Sequence, residues 1–376
     1  MDNDFFSINK ERTILNQCVR CGICSGICPV YRISRLETDS PRGRFELMRY
    51  LDENKASSGY DYMSSLSRCL FCLQCQRNCP AGVEFDLAFF HTMGLIYKKN
   101  SDTSKGLIYP IHLRRSGNPQ TPSLVNGHLL ENTIKGAHKR EEGIMIFPGC
   151  FMELEEIKKI QNFLKDIGID TFIVPEDICC GLPDLLRGKE KDAIRCMKKN
   201  VESFHLMKAK RIVTPCPFCL KMFTAYYPLY LNQAISIEFN HICNFFSSIK
   251  VEFFLDLSKK VAYHSPCLLD QKTASDHQRL IEKIAGDSYV PIPADICCGH
   301  GVDLPGINEK LSKSICQSNL SRIIERGVKL LITDCPSCTT KWKEVVQEKN
   351  MDLEVIPFWD LVIASDRRTK SRLCSL

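Results

Sequence analysis

The sequence predicts a multidomain chain, in which an all-α N-terminal domain precedes a duplicated α/β module with two similar lobes. A set of five cysteines occurs twice at nearly equal intervals, and apolar runs alternate with helical stripes in both copies. Helical signals surround two earlier cysteine runs. The predicted domain boundaries are 1–100 for the N-terminal domain, 101–142 for a linker, and 143–250 and 251–376 for the two copies.

The N-terminal domain carries the run C-x2-C-x2-C-x3-C-P twice. The cysteines are Cys18, Cys21, Cys24 and Cys28 in the first run and Cys69, Cys72, Cys75 and Cys79 in the second. This spacing is typical of two [4Fe–4S] cubanes, with the fourth cysteine of each run serving the other cluster. One cubane is therefore expected on Cys18, Cys21, Cys24 and Cys79, and the other on Cys69, Cys72, Cys75 and Cys28.

Helices are expected on either side of the second run. Ser40 can cap a helix whose first residue is Pro41, and Phe85 begins an apolar stripe after the run. Because of these signals the domain is interpreted as a helical ferredoxin. Arg42 and Arg44, in the first turn after Ser40, can neutralise cluster charge, meet a partner or remain solvated, and the sequence leaves these three alternatives open.

The duplicated module holds ten further cysteines, five in each copy. They are Cys150, Cys179, Cys180, Cys216 and Cys219 in the first copy, and Cys267, Cys297, Cys298, Cys335 and Cys338 in the second. Disulfides need an oxidising compartment, and the chain opens without an export signal. Structural zinc takes four ligands, and the side chains of adjacent cysteines diverge. Packed core cysteines do not explain the repeated intervals, so each set is expected to hold an iron–sulfur cluster.

Strands and helices are expected to alternate in both copies, which predicts parallel sheets. The predicted strands are 144–148, 169–174 and 211–214, then 261–264, 289–292 and 329–333. Each cysteine group then follows the carboxyl end of a strand, where open α/β sheets place their ligands. Four cysteines lack a counterpart in the repeat and are interpreted as small core residues: Cys196, Cys243, Cys316 and Cys374.

Composition limits the remaining function classes. The 376 residues include 22 cysteines and a formal charge of +6, with Lys and Arg spread along the chain, so nucleic-acid binding is not expected. The sequence has no run of the ~18 apolar residues that a membrane-spanning helix needs. The expected location is the cytoplasm, with any membrane association through a partner.

The paired cysteine sets resemble the CCG domains of heterodisulfide reductase. The order of a two-cubane domain and two CCG domains resembles the fused reductase subunit, and also the iron–sulfur subunits of glycolate oxidase and anaerobic glycerol-3-phosphate dehydrogenase. The stretches 39–44 and 68–72 resemble sequences common to this group. The resemblance implies a non-cubane [4Fe–4S] cluster on each five-cysteine set, with a disulfide cleaved between two such clusters. Both Cys-x-x-Cys pairs are intact, which favours the reductase.

The resulting hypothesis is an oxidoreductase subunit that passes electrons from a partner through the cubanes to a disulfide-type reduction. The alternative is a relay subunit of a flavin-dependent glycolate, lactate or glycerol-3-phosphate dehydrogenase that delivers electrons towards quinone, and a redox sensor or scaffold is a third class. His264 and His300 are candidates for proton delivery, or are hydrogen-bonded loop residues. The chain has no G-x-G-x-x-G fingerprint, so a flavin is expected in a partner flavoprotein. A membrane haem b or quinone-reducing subunit is a further expected partner.

Overall fold

A computed structural model describes residues 14–53, 55, 62–100, 144–174, 179–248, 259–302 and 304–365. The linker predicted at 101–142 and Cys374 lie outside these residues. The chain divides into two compact units. The first consists of Met1–His112, Gly181–Arg195 and Cys297–Gln317, and the second of Leu113–Cys180, Cys196–Ile296 and Ser318–Leu376. The four predicted domain boundaries stay predictions.

The N-terminal region is helical, as predicted. Its helices are Ile23–Ile27, Pro29–Ser34, Pro41–Asp52, Tyr62–Ser67, Gln74–Arg77 and Phe85–Asn100, with a 3-10 turn at Glu37–Asp39. The Ser40 hydroxyl accepts a hydrogen bond from the Gly43 N–H at 2.8 Å, which confirms the predicted cap. Met48, Leu66 and Phe89 have no exposed surface and form the core of this region.

The first copy of the module forms a four-stranded parallel sheet of order β2-β1-β3-β4. Its strands are β1 (Ile144–Ile146), β2 (Thr171–Ile173), β3 (Arg211–Thr214) and β4 (Glu238–His241). Its helices are Leu154–Asp166, Leu182–Leu186, Glu190–Leu206, Pro217–Lys221, Tyr227–Leu231 and Ile242–Ser248. The predicted alternation of strand and helix is therefore present in this copy.

The second copy forms a three-stranded parallel sheet of order β5-β6-β7. Its strands are β5 (Val261–His264), β6 (Leu330–Thr333) and β7 (Glu354–Pro357), and its helices are Gln271–Ala285, Leu304–Ile307, Glu309–Ile324, Pro336–Glu348 and Phe358–Ser365. The strand predicted at 289–292 is wrong, because only an isolated bridge joins Tyr289 to Val261. Pro291 and Pro293 lack the N–H groups that a strand in this place would donate.

A single hydrophobic core lies between the two copies within the second unit. It joins Ile146, Ile157 and Phe246 of the first copy to Ile281 and Phe358 of the second, all buried. Two small sheets are thereby stabilised by one shared apolar interior. No helix among the described residues is long and apolar enough to cross a membrane.

Candidate metal centres

Four of the eight N-terminal cysteines line one cavity in the first unit. The cavity wall contains the cysteines predicted to share a cubane, Cys28, Cys69, Cys72 and Cys75. Cys28 lies between the helices Ile23–Ile27 and Pro29–Ser34, whereas the other three come from the loop and short helix that end at Arg77. The structure therefore brings the fourth cysteine of the first run to the first three of the second.

Burial makes these thiols hard to ionise without a cation. It raises the pKa of Cys72 to about 12, with the negative charge of Cys28 adding to the effect. Burial also raises the pKa of Cys75 well above its usual range. At Cys69 burial again raises the pKa, while the guanidinium of Arg44 opposes the shift. Metal ions bind thiolates and deprotonate them, so this donor set suits a polynuclear iron cluster that supplies positive charge.

A buried carboxylate stabilises the two arginines beside this cavity. Asp39 has no exposed surface, and its Oδ1 lies 2.9 Å from Nε of Arg68 and 3.5 Å from Nη2 of Arg44. Arg44 also donates from Nε to the carbonyl oxygen of Ser65 at 2.8 Å. Of the three alternatives for Arg44, the solvated turn is wrong because the side chain is only 1% exposed. Arg42 is partly exposed and pairs with Glu37 at 2.8 Å.

Three cysteines of the other predicted cubane lie near one another. Burial raises the pKa of Cys24, and the charges of Cys18 and Cys21 add to this shift, while the backbone N–H of Arg42 lowers it. Cys79 is half-buried and follows the helix Gln74–Arg77. Its assignment to this cluster stays a prediction.

The first five-cysteine set is assembled at the carboxyl ends of β1, β2 and β3. Hydrogen bonds link the thiols of this set in the order Cys150, Cys179, Cys180, Cys219 and Cys216. A hydrogen bond from Cys219 lowers the pKa of Cys216, which the N–H groups of Phe218 and Cys219 lower further. Cys216, at the N-cap position of the helix Pro217–Lys221, is therefore prepared to bind as a thiolate.

Gly149 allows two strand ends to approach closely in this set. Its φ is +74°, and a β-carbon there would lie 2.9 Å from Cβ of Cys216 and 3.4 Å from Sγ of Cys219. Any side chain at this position would enter the space between Cys150 and the Cys-x-x-Cys pair. The glycine is therefore part of the site.

Two polar residues hold the adjacent cysteines in place. Asn200 donates from Nδ2 to the carbonyl oxygen of Cys179 at 2.8 Å, and the Tyr227 hydroxyl donates to the carbonyl oxygen of Cys180 at 3.0 Å. Asn200 also donates to the Tyr227 hydroxyl oxygen at 2.7 Å. Neither residue was predicted from the sequence. A polar Asn on the inner face of the helix Glu190–Leu206 was the available signal.

The second five-cysteine set is divided between the two units. Cys297 and Cys298 belong to the first unit, where their sulfurs accept from the N–H groups of Gly299 and His300 at 3.4 and 3.5 Å. The other three cysteines of the set belong to the second unit: Cys267, Cys335 and Cys338. Cys335 lies 3.2 Å from the Ser337 hydroxyl. Ligation of one cluster by all five stays a prediction.

Cys297 packs beside the cubane cavity within the first unit. It contacts an apolar cluster that includes Cys28 and Leu70 and that Cys72 also contacts. Gly301, with φ +59°, approaches so closely that a β-carbon would lie 2.7 Å from both Cα and the carbonyl oxygen of Leu70. The CCG turn and the cubane loop are thus in direct contact.

The two candidate histidines are buried and hydrogen-bonded. His264 is at the end of β5, with Nδ1 3.0 Å from the Thr333 hydroxyl and its ring against the edge of Trp342. His300 has Nδ1 3.1 Å from the carbonyl oxygen of Gly301. Their role in proton delivery stays a prediction. Among the cysteines without a counterpart, Cys243 and Cys316 are buried, and Cys196 is partly buried and donates to the carbonyl oxygen of Cys179 at 3.2 Å.

A four-cysteine cavity in a helical region and a five-cysteine set at the strand ends of a parallel sheet define an iron–sulfur protein. Residues 14–83 match the 4Fe-4S dicluster domain family, and residues 144–224 and 261–343 match the CCG cysteine-rich domain family. The chain belongs to the iron–sulfur proteins that join one dicluster domain to two CCG domains, which confirms the resemblance inferred from the cysteine spacing.

Curated relatives of similar length are subunits of redox complexes. The probable glycolate oxidase iron-sulfur subunit of Bacillus subtilis is 24% identical, over 94% of each chain. A subunit of the dihydromethanophenazine:CoB–CoM heterodisulfide reductase of Methanosarcina acetivorans is 22% identical, over 91% of each chain. The EtfAB:quinone oxidoreductase of Syntrophomonas wolfei, a longer chain, is 22% identical over 88% of this chain and 55% of its own. The chain is therefore related to iron–sulfur subunits of oxidoreductases.

A solved structure shares the fold. The crystal structure of a hypothetical protein from Helicobacter pylori superposes with a TM-score of 0.53 at 10% identity, covering 95% of this chain and 72% of the other.

Proposed function

We propose that the chain is the electron-transfer and catalytic subunit of a heterodisulfide reductase-like complex. The eight N-terminal cysteines would hold two [4Fe–4S] cubanes, and the two five-cysteine sets would hold two non-cubane [4Fe–4S] clusters. Such clusters supply one-electron storage at each centre when bound. Electrons from a partner flavoprotein would enter at the cubanes and leave at a CCG site.

The contact of Cys297 with the apolar cluster around Cys28 and Cys72 carries this proposal. It supports electron transfer from the cubane on Cys28 to Cys297 of the second CCG set, because predicted ligands of both centres pack against the same apolar cluster. Leu70 and Gly301 extend the same contact along the backbone. A route of this kind needs no further cofactor between the two centres.

Disulfide reduction balances with two electrons and two protons. The S–S bond of the substrate breaks, each sulfur gains one electron, and two thiols form once two protons arrive. The two electrons come from the partner, which is oxidised. His300 is two residues after Cys298 and His264 is three residues before Cys267, so both imidazoles are our candidates for proton delivery. Both histidines are buried, so a proton released there would not exchange rapidly with solvent.

The second candidate is a relay subunit that delivers electrons from a flavin-dependent dehydrogenase towards quinone. The match to the glycolate oxidase iron-sulfur subunit over 94% of both chains favours it. In this case the CCG clusters serve as redox stations. The flavin would belong to a glycolate, lactate or glycerol-3-phosphate dehydrogenase chain, and a haem b or quinone-reducing subunit would anchor the complex at a membrane.

Stopped-flow spectroscopy distinguishes the two functions. Anaerobically prereduced protein is mixed with a thiol disulfide or with a soluble quinone analogue, and reoxidation is followed by cluster absorbance. For the reductase, the disulfide reoxidises the wild type, and Cys338→Ser slows this at least about tenfold. The matched control Cys316→Ser replaces a buried cysteine outside both sets and should react as the wild type. Reoxidation by quinone alone would contradict the reductase and support the relay.

A further inference from the structure

Four potential metal ligands converge in the second unit, apart from all eighteen predicted cluster cysteines. They are His241, Cys243, His277 and Asp334, all buried, and their ligand atoms lie within 4.8 Å of one another. His241 ends β4, Cys243 is in the first turn of the helix Ile242–Ser248, and Asp334 follows β6. These four residues are not part of the repeat, whose period is 119 residues, from Cys216 to Cys335. The equivalent positions in the other copy hold Asp360, Val362, Lys158 and Pro215.

The hydrogen bonds around the cluster orient both imidazole rings. Nε2 of His241 lies 3.0 Å from the carbonyl oxygen of Pro215. The ring proton is therefore on Nε2, and Nδ1 has a free lone pair. That nitrogen accepts a 3.3 Å hydrogen bond from the Cys243 N–H, which a bound ion would displace. Nε2 of His277 similarly contacts Oδ1 of Asn244. A histidine that ligates a metal commonly donates its other N–H to a carbonyl oxygen in this way.

The carboxylate of Asp334 provides the second, independent observation. Its Oδ2 contacts Nδ1 of His277 and accepts from the Tyr263 hydroxyl at 2.9 Å. Its Oδ1 is buried and accepts no hydrogen bond from an N–H or O–H group of the described residues, and the further donor to this carboxylate is the weak Cys243 thiol. A buried carboxylate oxygen that has at most a weak thiol donor is destabilised, because it has lost its hydration. A cation placed between Nδ1 of His277 and the carboxylate would remove this destabilisation.

We propose that His241, Cys243, His277 and Asp334 bind one divalent transition-metal ion of the zinc type. Two imidazoles, one thiolate and one carboxylate form a four-ligand set suited to a closed tetrahedral site. Bonds of about 2.0 to 2.3 Å would place ligand atoms roughly 3.3 to 3.8 Å apart, so binding would draw the four groups together. The rival occupant of the same space is a proton on His277, which would make a His277–Asp334 ion pair.

The ion would join the two copies of the module. His241 and Cys243 come from the first copy, and His277 and Asp334 come from the second. Asp334 is also the residue before Cys335, so the ion would fix the turn that leads from β6 into the second Cys-x-x-Cys pair. The role is structural, and no redox change at the ion is involved.

Metal analysis of the full chain tests the proposal. Anaerobically purified protein should contain one zinc in addition to its iron, and Zn K-edge absorption should show one sulfur and three nitrogen or oxygen neighbours. Cys243→Ser keeps the size of the side chain and should lower zinc affinity at least about tenfold. Cys316→Ser, another buried cysteine, should leave zinc unchanged. His277→Gln should lose zinc if it folds.

The outcomes separate this site from others. A zinc neighbour shell with three or four sulfurs would place the ion in a five-cysteine set and overturn the proposal. Protein without zinc that also fails to bind added Co²⁺ would equally overturn it. With Co²⁺, a thiolate charge-transfer band that disappears in Cys243→Ser would support it. None of these readouts depends on electron transfer, so they are independent of the proposed function.

Discussion

Gly301 lies against Leu70 without space for a side chain. A β-carbon on Gly301 would lie 2.7 Å from the Cα atom of Leu70 and 2.7 Å from its carbonyl oxygen. Leu70 lies between Cys69 and Cys72, and Gly301 follows the pair Cys297 and Cys298. The loop that contains Gly301 therefore packs directly against the backbone of the loop that contains Leu70.

Gly301→Ala should separate these two loops. The substitution combines a positive φ, which costs a non-glycine residue about 1–2 kcal/mol, with a clash against backbone that cannot move away cheaply. We expect it to lower the free energy of unfolding by about 3 kcal/mol or more and to slow reoxidation by substrate. The control is Gly82→Ala, with φ +64° and nothing within 4 Å. Anaerobic urea unfolding, followed by cluster absorbance, measures the free energy of unfolding of both variants. Equal decreases in Gly301→Ala and Gly82→Ala would contradict the contact with Leu70.

Gly149→Ala should remove one cluster and leave the others. Its β-carbon would press on Cys216 and on the sulfur of Cys219, so we expect a loss of about four of roughly sixteen irons. Gly168→Ala has a similar φ, +81°, and open space around the added carbon, and should keep all the iron. Iron and sulfide analysis of the two variants checks this. Unchanged iron in Gly149→Ala would show that the first five-cysteine set does not bind the cluster.

Exchange of the fourth cysteines can be tested with Cys28→Ser and Cys79→Ser. Because Cys28 lines the cavity with Cys69, Cys72 and Cys75, Cys28→Ser should perturb the cubane held by the second run. Cys79→Ser should perturb the one held by the first. Low-temperature EPR of the reduced protein reports the two cubanes and their magnetic interaction. If Cys28→Ser altered the same signal as Cys18→Ser, the exchange would be wrong.

Asp39→Asn should destabilise the N-terminal region strongly. It removes the carboxylate that pairs with buried Arg44 and largely buried Arg68, and breaking a buried ion pair on one side costs about 3–5 kcal/mol. Glu37→Gln removes the partner of Arg42 in a pair with both side chains partly exposed, so it should cost less than about 1 kcal/mol. Thermal unfolding of the two variants under argon compares them directly. Similar midpoints would show that Asp39 does not anchor the arginines.

Cysteine spacing and apolar periodicity predicted most of the architecture. The strands 211–214 and 261–264 have the predicted bounds, and Ser40 caps its helix. These features depend on residues close in sequence, where period and capping chemistry suffice. The spacing of the runs also predicted that Cys28 would lie near Cys69, Cys72 and Cys75, and these four residues line one cavity; the ligand exchange itself stays a prediction.

Features that depend on distant residues were not predictable. The strand expected at 289–292 failed because two prolines outweigh its apolar pattern. Asn200 and Tyr227 donate hydrogen bonds to the carbonyl oxygens of Cys179 and Cys180. Both donors lie in helices, and apolar periodicity predicts a helix without indicating such a distant contact. Cys243 was interpreted as a core residue. No residue near it in the sequence indicates that His277 and Asp334 lie beside it in the fold.

The shared core has a consequence for each copy on its own. Ile157 and Phe246 of one copy are covered by residues of the other copy, such as Ile281 and Phe358. A single copy would expose this face to water, and apolar surface of that extent drives association. A chain with a single copy is therefore expected to pair with a second copy of itself through this face.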